Sequence, residues 1–246
     1  MRAFVRKAAA AARPEWTLIC DFDGTIARED VTDILLERFA GLEWKLIERS
    51  WQAGRLSSRE CLGRQVELLE LSRAELNAML PQIALDPDFS AFVAAAQSAG
   101  CDVRIASEGF HQVIRALLAR AGVPRLPIAA TYLIAAGSNS WMLGFPFAQG
   151  SCDTDAATCK CALAAEARQQ NRRVALIGDG LSDFCVARRA DLVFARGRLL
   201  EYCRTNAIEH RAAADFASVI RQLGMLFDGV PRHAETAALA EESYGG

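Results

Sequence analysis

A chain of 246 residues, 52% hydrophobic and 24% charged, is long and apolar enough for one large domain, or a main domain with a small insert, around a sizeable core. Its 28 Lys and Arg against 30 Asp and Glu leave a formal net charge of −2, which argues against nucleic acid or any other polyanionic partner. The sequence holds no run of about 18 or more apolar residues free of charges, which argues against a transmembrane helix and so against a membrane role.

The basic, Ala-rich run Met1–Arg13 lacks the continuous apolar stretch of a secretory signal and reads as a short helix or a frayed end. A strand is predicted at Thr17–Cys20, and it delivers Asp21 and Asp23 to one side of an extended chain before Gly24 and Thr25 open a turn. Alone, such a pair of carboxylates also occurs in loops and helix caps. Directly after an apolar strand and before Gly-Thr it reads as an acidic centre, because two carboxylates so close repel unless a cation lies between them or one is protonated. Mg²⁺ suits that centre as a hard cation that takes oxygen ligands.

From Val31 to Leu85 the strand signal disappears and apolar residues fall at helical spacing: Ile34, Leu35 and Phe39, then Val66 and Leu69, then Leu76, Met79 and Leu80. Ser57 with Glu60, and Ser72 with Glu75, fit the capping box that marks a helix start. An all-helical insert after the first strand predicts a small cap over residues 31–85, a core made of 1–30 and 86–230, and a weakly ordered tail over 231–246.

A second strand at Val103–Ala106 ends in Ser107-Glu108-Gly109-Phe110, and the apolar spacing from Phe110 to Leu118 begins a helix, which places Ser107 near a helix N-terminus. A weaker strand covers Ala130–Ile134, and residues 136–151, rich in Gly, Ser, Asn and Pro around Trp141, Phe145 and Phe147, form a hairpin or extended loop. Thr158-Cys159-Lys160-Cys161 precedes a helix over residues 162–168. The strand Val174–Ile177 then runs into Gly178-Asp179-Gly180-Leu181-Ser182-Asp183, and Leu192–Ala195 is a last strand. The eight cysteines show no C-x-x-C pair among Cys152, Cys159 and Cys161 and no nearby His, and read as reduced thiols of a cytoplasmic protein.

Strands alternating with helices predict an α/β fold, a parallel sheet with helices on both faces. Phosphate-compatible groups stand at the carboxyl ends of its strands, where ligands of open α/β sheets bind.

The ordered set Asp21-x-Asp23-Gly24-Thr25, Ser107, Lys160 and Gly178-Asp179-x-x-x-Asp183 resembles the four motifs of the haloacid dehalogenase superfamily, over roughly residues 17–195. The helical insert resembles the cap of its phosphoserine-phosphatase-like branch. Asp30, Phe39-Ala40, Glu43-Trp44, Gly63-Arg64 and Thr158-Cys159-Lys160 are similar to the methionine-salvage phosphatase subfamily.

The resemblance implies a Mg²⁺-dependent phosphomonoesterase acting on a small phosphorylated metabolite, with a methionine-salvage-type phosphorylated keto compound favoured over phosphoserine. It implies Asp21 as nucleophile and Asp23 as general acid and base, with Thr25, Ser107, Glu108 and Lys160 around the phosphate. Mg²⁺ would lie on the Asp21 carboxylate, the Asp23 backbone carbonyl and Asp179, with Asp183 holding a water or orienting Lys160. Asp30, Trp44 and Arg64 would read the organic part. Glu108 stands where the branch carries glycine, and three roles are open to it: orienting Lys160, facing a cationic substrate group, or capping the helix. A phospho-accepting signalling domain is the competing class, opposed by Asp23 and by the insert.

Overall fold

In the computed structural model the described residues are 16–228 without Pro124, so the expectations for Met1–Arg13 and for the tail after Pro231 lie outside them. The first strand, β1 (Trp16–Cys20), leads into a turn and then four helices, α1 (Val31–Phe39), α2 (Trp44–Gln52), α3 (Ser58–Glu67) and α4 (Arg73–Met79). Helix α5 (Phe89–Ser98), β2 (Asp102–Phe110), α6 (His111–Arg120), β3 (Ile128–Ala135) and β4 (Trp141–Gly144) follow. The chain continues through α7 (Lys160–Gln169), β5 (Arg173–Gly178), α8 (Phe184–Ala187), β6 (Leu192–Ala195), α9 (Gly197–Thr205), β7 (His210–Ala212) and α10 (Phe216–Asp228).

The strands form one seven-stranded sheet in the order β4-β3-β2-β1-β5-β6-β7. Only the β3–β4 hairpin is antiparallel. The period of two sorts the strand side chains onto opposite faces. Leu18, Cys20, Ile105, Ile177 and Phe194 join one apolar cluster with Phe89, Phe92 and Phe216 of α5 and α10. Ile19, Ala106, Leu176 and Val193 join the other with α7, α8 and α9. On the first face the Phe216 ring lies 4.8 Å from those of Phe89 and Phe92, so aromatic packing seals α10 to α5. The α/β sheet with helices on both faces is therefore the observed architecture.

Cys20 is level with Ile105 of β2 and with Ile177 of β5, and the Asp21 amide donates to the Ile177 carbonyl (2.9 Å). Three central strands thus end together, and whatever follows them shares one place. The strand β2 runs further than predicted. Its register against β3 shifts between Ala106 and Phe110, and Ser107, Glu108 and Gly109 occupy the irregular stretch. Helix α6 starts only at His111 with no side-chain cap, so neither Ser107 nor Glu108 caps it. Likewise Lys160 is the first residue of α7 rather than a residue ahead of it.

Both predicted capping boxes form, on Ser57 with Glu60 and on Ser72 with Glu75. The helical segment is tied back to the rest of the fold where Trp141 Nε1 of β4 donates to the Leu71 carbonyl (2.7 Å), Arg59 pairs with Asp155 of the loop before α7, and Ser58 donates to Glu108 of β2. No described helix is long and apolar enough to cross a membrane.

Candidate active site

The turn after β1 is shaped by Gly24, whose φ of +66° lies in the left-handed region and whose Cβ, if present, would sit 2.5 Å from Asp179 Oδ2. Arg196, from the end of β6, pins the same turn by donating to the carbonyls of Gly24 and Thr25 (2.7 Å to the latter). Sequence reasoning missed Arg196; its only signal is a charged residue at the carboxyl end of a buried strand. Thr25 Oγ1 donates to Asp179 Oδ1 (2.7 Å), so the hydroxyl orients an acidic group.

Asp21 Oδ1 accepts from the Phe22 amide (2.8 Å) and from Lys160 Nζ (2.9 Å). The lysine, 1% exposed, also donates to Asp183 Oδ1 (2.6 Å) and Ser182 Oγ (3.2 Å). Asp183, fully buried, accepts the amides of Asp179 (3.1 Å) and Gly180 (3.3 Å) on Oδ2 and so shapes its own loop. Gly178 leaves the room for this, since a Cβ there would meet Asp183 Oδ2 at 2.3 Å.

The surroundings of Asp21 take its carboxyl out of the ordinary low range. Burial, then the Asp183 charge, push its carboxyl well above the usual range, and Lys160 works against both. Burial also raises Asp179, with Thr25 opposing and Asp183 adding.

Carboxylate oxygens of Asp21, Asp179 and Asp183 lie within 4.8 Å of one another. This hard, all-oxygen donor set, three carboxylates against the single charge of Lys160, fits Mg²⁺, and the repulsion left within it is the physical demand for a cation. Among the described residues it is the one group of three or more acidic, Cys or His ligands so arranged, and Cys152, Cys159 and Cys161 do not form another.

The Asp23 carboxylate is not part of that cluster. Its Oδ1 accepts the Val31 amide (2.9 Å) and its Oδ2 the Ser107 hydroxyl (3.1 Å), while Ser107 Oγ accepts from the Gly109 amide (2.9 Å). Burial, followed by the charge of Asp30, raises Asp23 to about 8, so a proton is available there near neutral pH. Glu108 is spent on structure: it accepts from Ser58 of α3 and from the Ala157 amide (2.9 Å), strapping the helical segment and the approach to α7 onto β2.

These groups open on a cleft of about 150 Å³ whose far wall is made by α1, α2 and α3. Of the residues expected to read an organic part, only Asp30 lines it, and it also caps α1 by accepting the Asp33 amide (2.9 Å). Asp30 is open to solvent at the mouth, yet the protein crowding its carboxyl raises it, as does Glu48. Arg64 is exposed and lies outside the lining, because α3 turns Cys61, Leu62, Gln65 and Val66 inward. Trp44 is core packing, 7% exposed; Trp51, two turns further along the same face of α2, lines the cleft instead. Asp33, Glu48, Ser58 and Gln65 are lining residues that the sequence reading did not name.

Residues 18–188 match the haloacid dehalogenase-like hydrolase family. A 2-hydroxy-3-keto-5-methylthiopentenyl-1-phosphate phosphatase of Exiguobacterium sp. is 31% identical over 195 residues, 78% of this chain and 90% of that protein. One of Geobacillus kaustophilus is 30% identical over 213 residues, 84% and 94% of the two chains. A substrate-bound phosphoserine phosphatase structure superposes with a TM-score of 0.66 at 19% identity, covering 85% of this chain and 98% of that one. This chain belongs to the haloacid dehalogenase-like hydrolases. Within that family it is a phosphatase, the class of its similar curated relatives.

Proposed function

We propose that the chain is a Mg²⁺-dependent phosphomonoesterase of the cytoplasm, where its eight free cysteines stay reduced, and that it hydrolyses a small phosphorylated metabolite through an aspartyl-phosphate on Asp21. The observation that carries this is Lys160 Nζ, buried between Asp183 and Asp21, the latter a lining residue of the cleft. Residues 31–85 act as the cap over a core of 1–30 and 86–230. Support for that comes from α1, α2 and α3, which supply the wall opposite Asp21.

In this mechanism the Asp21 carboxylate attacks phosphorus as the bond to the alcohol oxygen breaks, and the proton held by Asp23 passes to the leaving oxygen. Asp23, now ionised, takes a proton from water as that water attacks the phosphoryl group, releasing phosphate and restoring Asp21. Ser107 Oγ keeps Asp23 aimed into the cleft. Lys160 favours the ionised form of Asp21 against the opposing effect of burial, and offsets charge on the phosphoryl oxygens. Asp21 and Asp179, with Asp183 beside them, would hold Mg²⁺, which supplies further charge compensation when bound.

The substrate for which the relatives are named, a phosphorylated keto compound, is the reference substrate for this chain because those relatives are about 30% identical along most of their length. The first test is p-nitrophenyl phosphate turnover, expected to need Mg²⁺, to stop with EDTA and to return when Mg²⁺ is restored. Turnover that survives EDTA sinks the metal assignment, and stable phosphorylation without turnover favours a signalling domain.

Gly24→Ala is expected to lower kcat/KM on this substrate by ~10²-fold, since a methyl there strains the backbone and displaces Asp179 by about the ångström that positioning tolerates least. Steady-state kinetics at saturating Mg²⁺ check it; a near-normal rate would mean that Asp179 need not be held by this turn.

A further inference from the structure

We infer that Arg196 is a positioning residue for the metal centre, bracing the acidic loops that follow β1 and β5 at the spacing that binds the divalent cation. This rests on the Mg²⁺-dependent phosphatase reading of the same site and adds a residue that acts from outside the cleft, whose lining it does not join.

The need for a brace is electrostatic. The loop after β1 carries Asp21, the loop after β5 carries Asp179 and Asp183, and oxygens of the three carboxylates lie within 4.8 Å of one another. Like charges so close push the two loops apart whenever the cation is away. Lys160 answers this for Asp21 and Asp183, to which its ammonium is committed. Asp179 is held instead by Thr25 Oγ1 (2.7 Å), a residue of the opposite loop. Its place is therefore as firm as the Gly24–Thr25 turn.

Arg196 grips both loops. Its side chain takes the first: Nη2 donates to the carbonyls of Gly24 and Thr25 (2.7 Å to the latter), while Nη1 donates to the Ala214 carbonyl (3.0 Å) ahead of α10. The backbone takes the second. The Arg196 amide donates to the Gly178 carbonyl (3.2 Å), and three residues on the Leu199 amide donates to the Asp179 carbonyl (2.9 Å). Between them Gly197 has a φ of +50°, and a Cβ there would stand 3.1 Å from that same carbonyl. A planar fork with five N–H groups can serve acceptors on separate segments in this way, whereas the ammonium of a lysine is a point donor.

The sign of the expected effect separates this frame from simple charge. By Coulomb's law a guanidinium near the carboxylates repels Mg²⁺, so its removal would tighten the metal if charge were all that mattered. Loosening is the mark of a lost frame. Mg²⁺ demands near-regular octahedral geometry and tolerates displaced ligands poorly. Groups that orient metal ligands without touching the metal are typically worth about 10–100-fold in affinity or activity.

The test follows Mn²⁺ binding to the full chain by EPR without substrate, beside the Mg²⁺ dependence of p-nitrophenyl phosphate turnover, for the parent, Arg196→Lys and Arg196→Gln. Mn²⁺ serves as a spectroscopic probe that favours the same oxygen ligands. Lysine keeps the charge, glutamine keeps a donor, and neither keeps the fork. Both variants are expected to raise the Mn²⁺ dissociation constant and the half-activating Mg²⁺ concentration by ~10-fold or more, while kcat at saturating Mg²⁺ falls by a smaller factor. Tighter Mn²⁺ binding in Arg196→Gln with Arg196→Lys unchanged overturns the brace in favour of charge alone. A lowered Tm with parental metal binding in both variants overturns it in favour of a purely structural arginine. If the parent binds no Mn²⁺, the metal assignment fails and the brace with it. A shifted Mn²⁺ constant in a chain that turns over no ester keeps the brace and removes the phosphatase reading.

Discussion

Asp21→Asn is expected to lower turnover of p-nitrophenyl phosphate by on the order of 10⁴-fold or more, the loss seen when a covalent nucleophile is removed from a site that otherwise stays assembled. The substitution keeps the shape of the side chain, and the Asn oxygen can still accept from the Phe22 amide and Lys160 Nζ, now found at 2.8 and 2.9 Å. The fold should therefore survive. It should even gain, because Asp21 is a buried carboxylate pushed against Asp183 and Asp179, and an amide relieves that repulsion. The expected pair of results is a rate near background with a melting temperature equal to or above that of the parent. Excess Mg²⁺ separates the two duties of Asp21. Asp179→Asn, which removes only a candidate metal ligand, should recover part of its rate as Mg²⁺ is raised, whereas Asp21→Asn should not. Substantial residual activity in Asp21→Asn would move the nucleophile to another residue.

The floor of this site was legible in the sequence because it is written in short linear runs. Asp21 and Asp179 follow directly on apolar strands, Asp23 and Asp183 lie in the turns just beyond, and parallel pairing at the level of Cys20, Ile105 and Ile177 brings such strand ends together. Lys160 was legible only in that company, since a lone lysine carries no address. Ser107 was found but misplaced, because β2 runs on through an irregular stretch that apolar pattern cannot reveal.

The far wall was not legible. Glu48, Gln65 and Trp51 come from two helices whose rotation about their axes is set by packing on the sheet and on each other. Periodicity identifies an inward face but not which inward residue meets a cleft, so Trp44 and Arg64 were exchanged for Trp51 and Gln65. β7, with three residues of mixed polarity at the sheet edge, left no strand pattern to read.

Lys160→Met is expected to damage both stability and rate, and the two losses are separable. Burial alone would lower the pKa of this ammonium, but Asp183 and then Asp21 hold it well above the ordinary lysine value, so it is charged near neutral pH. Removing it leaves two carboxylates facing each other where neither is more than 8% exposed. Breaking a buried pair in this way costs about 3–5 kcal/mol. For a chain of this size that is a drop of roughly 6–20 °C in Tm. The rate should fall by ~10²-fold or more, the usual loss when one preorganised donor to a reacting oxyanion is deleted. Adding Asp183→Asn to Lys160→Met removes the orphaned charge and keeps acceptor geometry for the Asp179 and Gly180 amides, so Tm should climb back. The rate should not, because no ammonium then stands beside Asp21. Recovery of both in the double variant would make Lys160 a purely structural counter-ion to Asp183; recovery of Tm alone assigns it to the phosphoryl group.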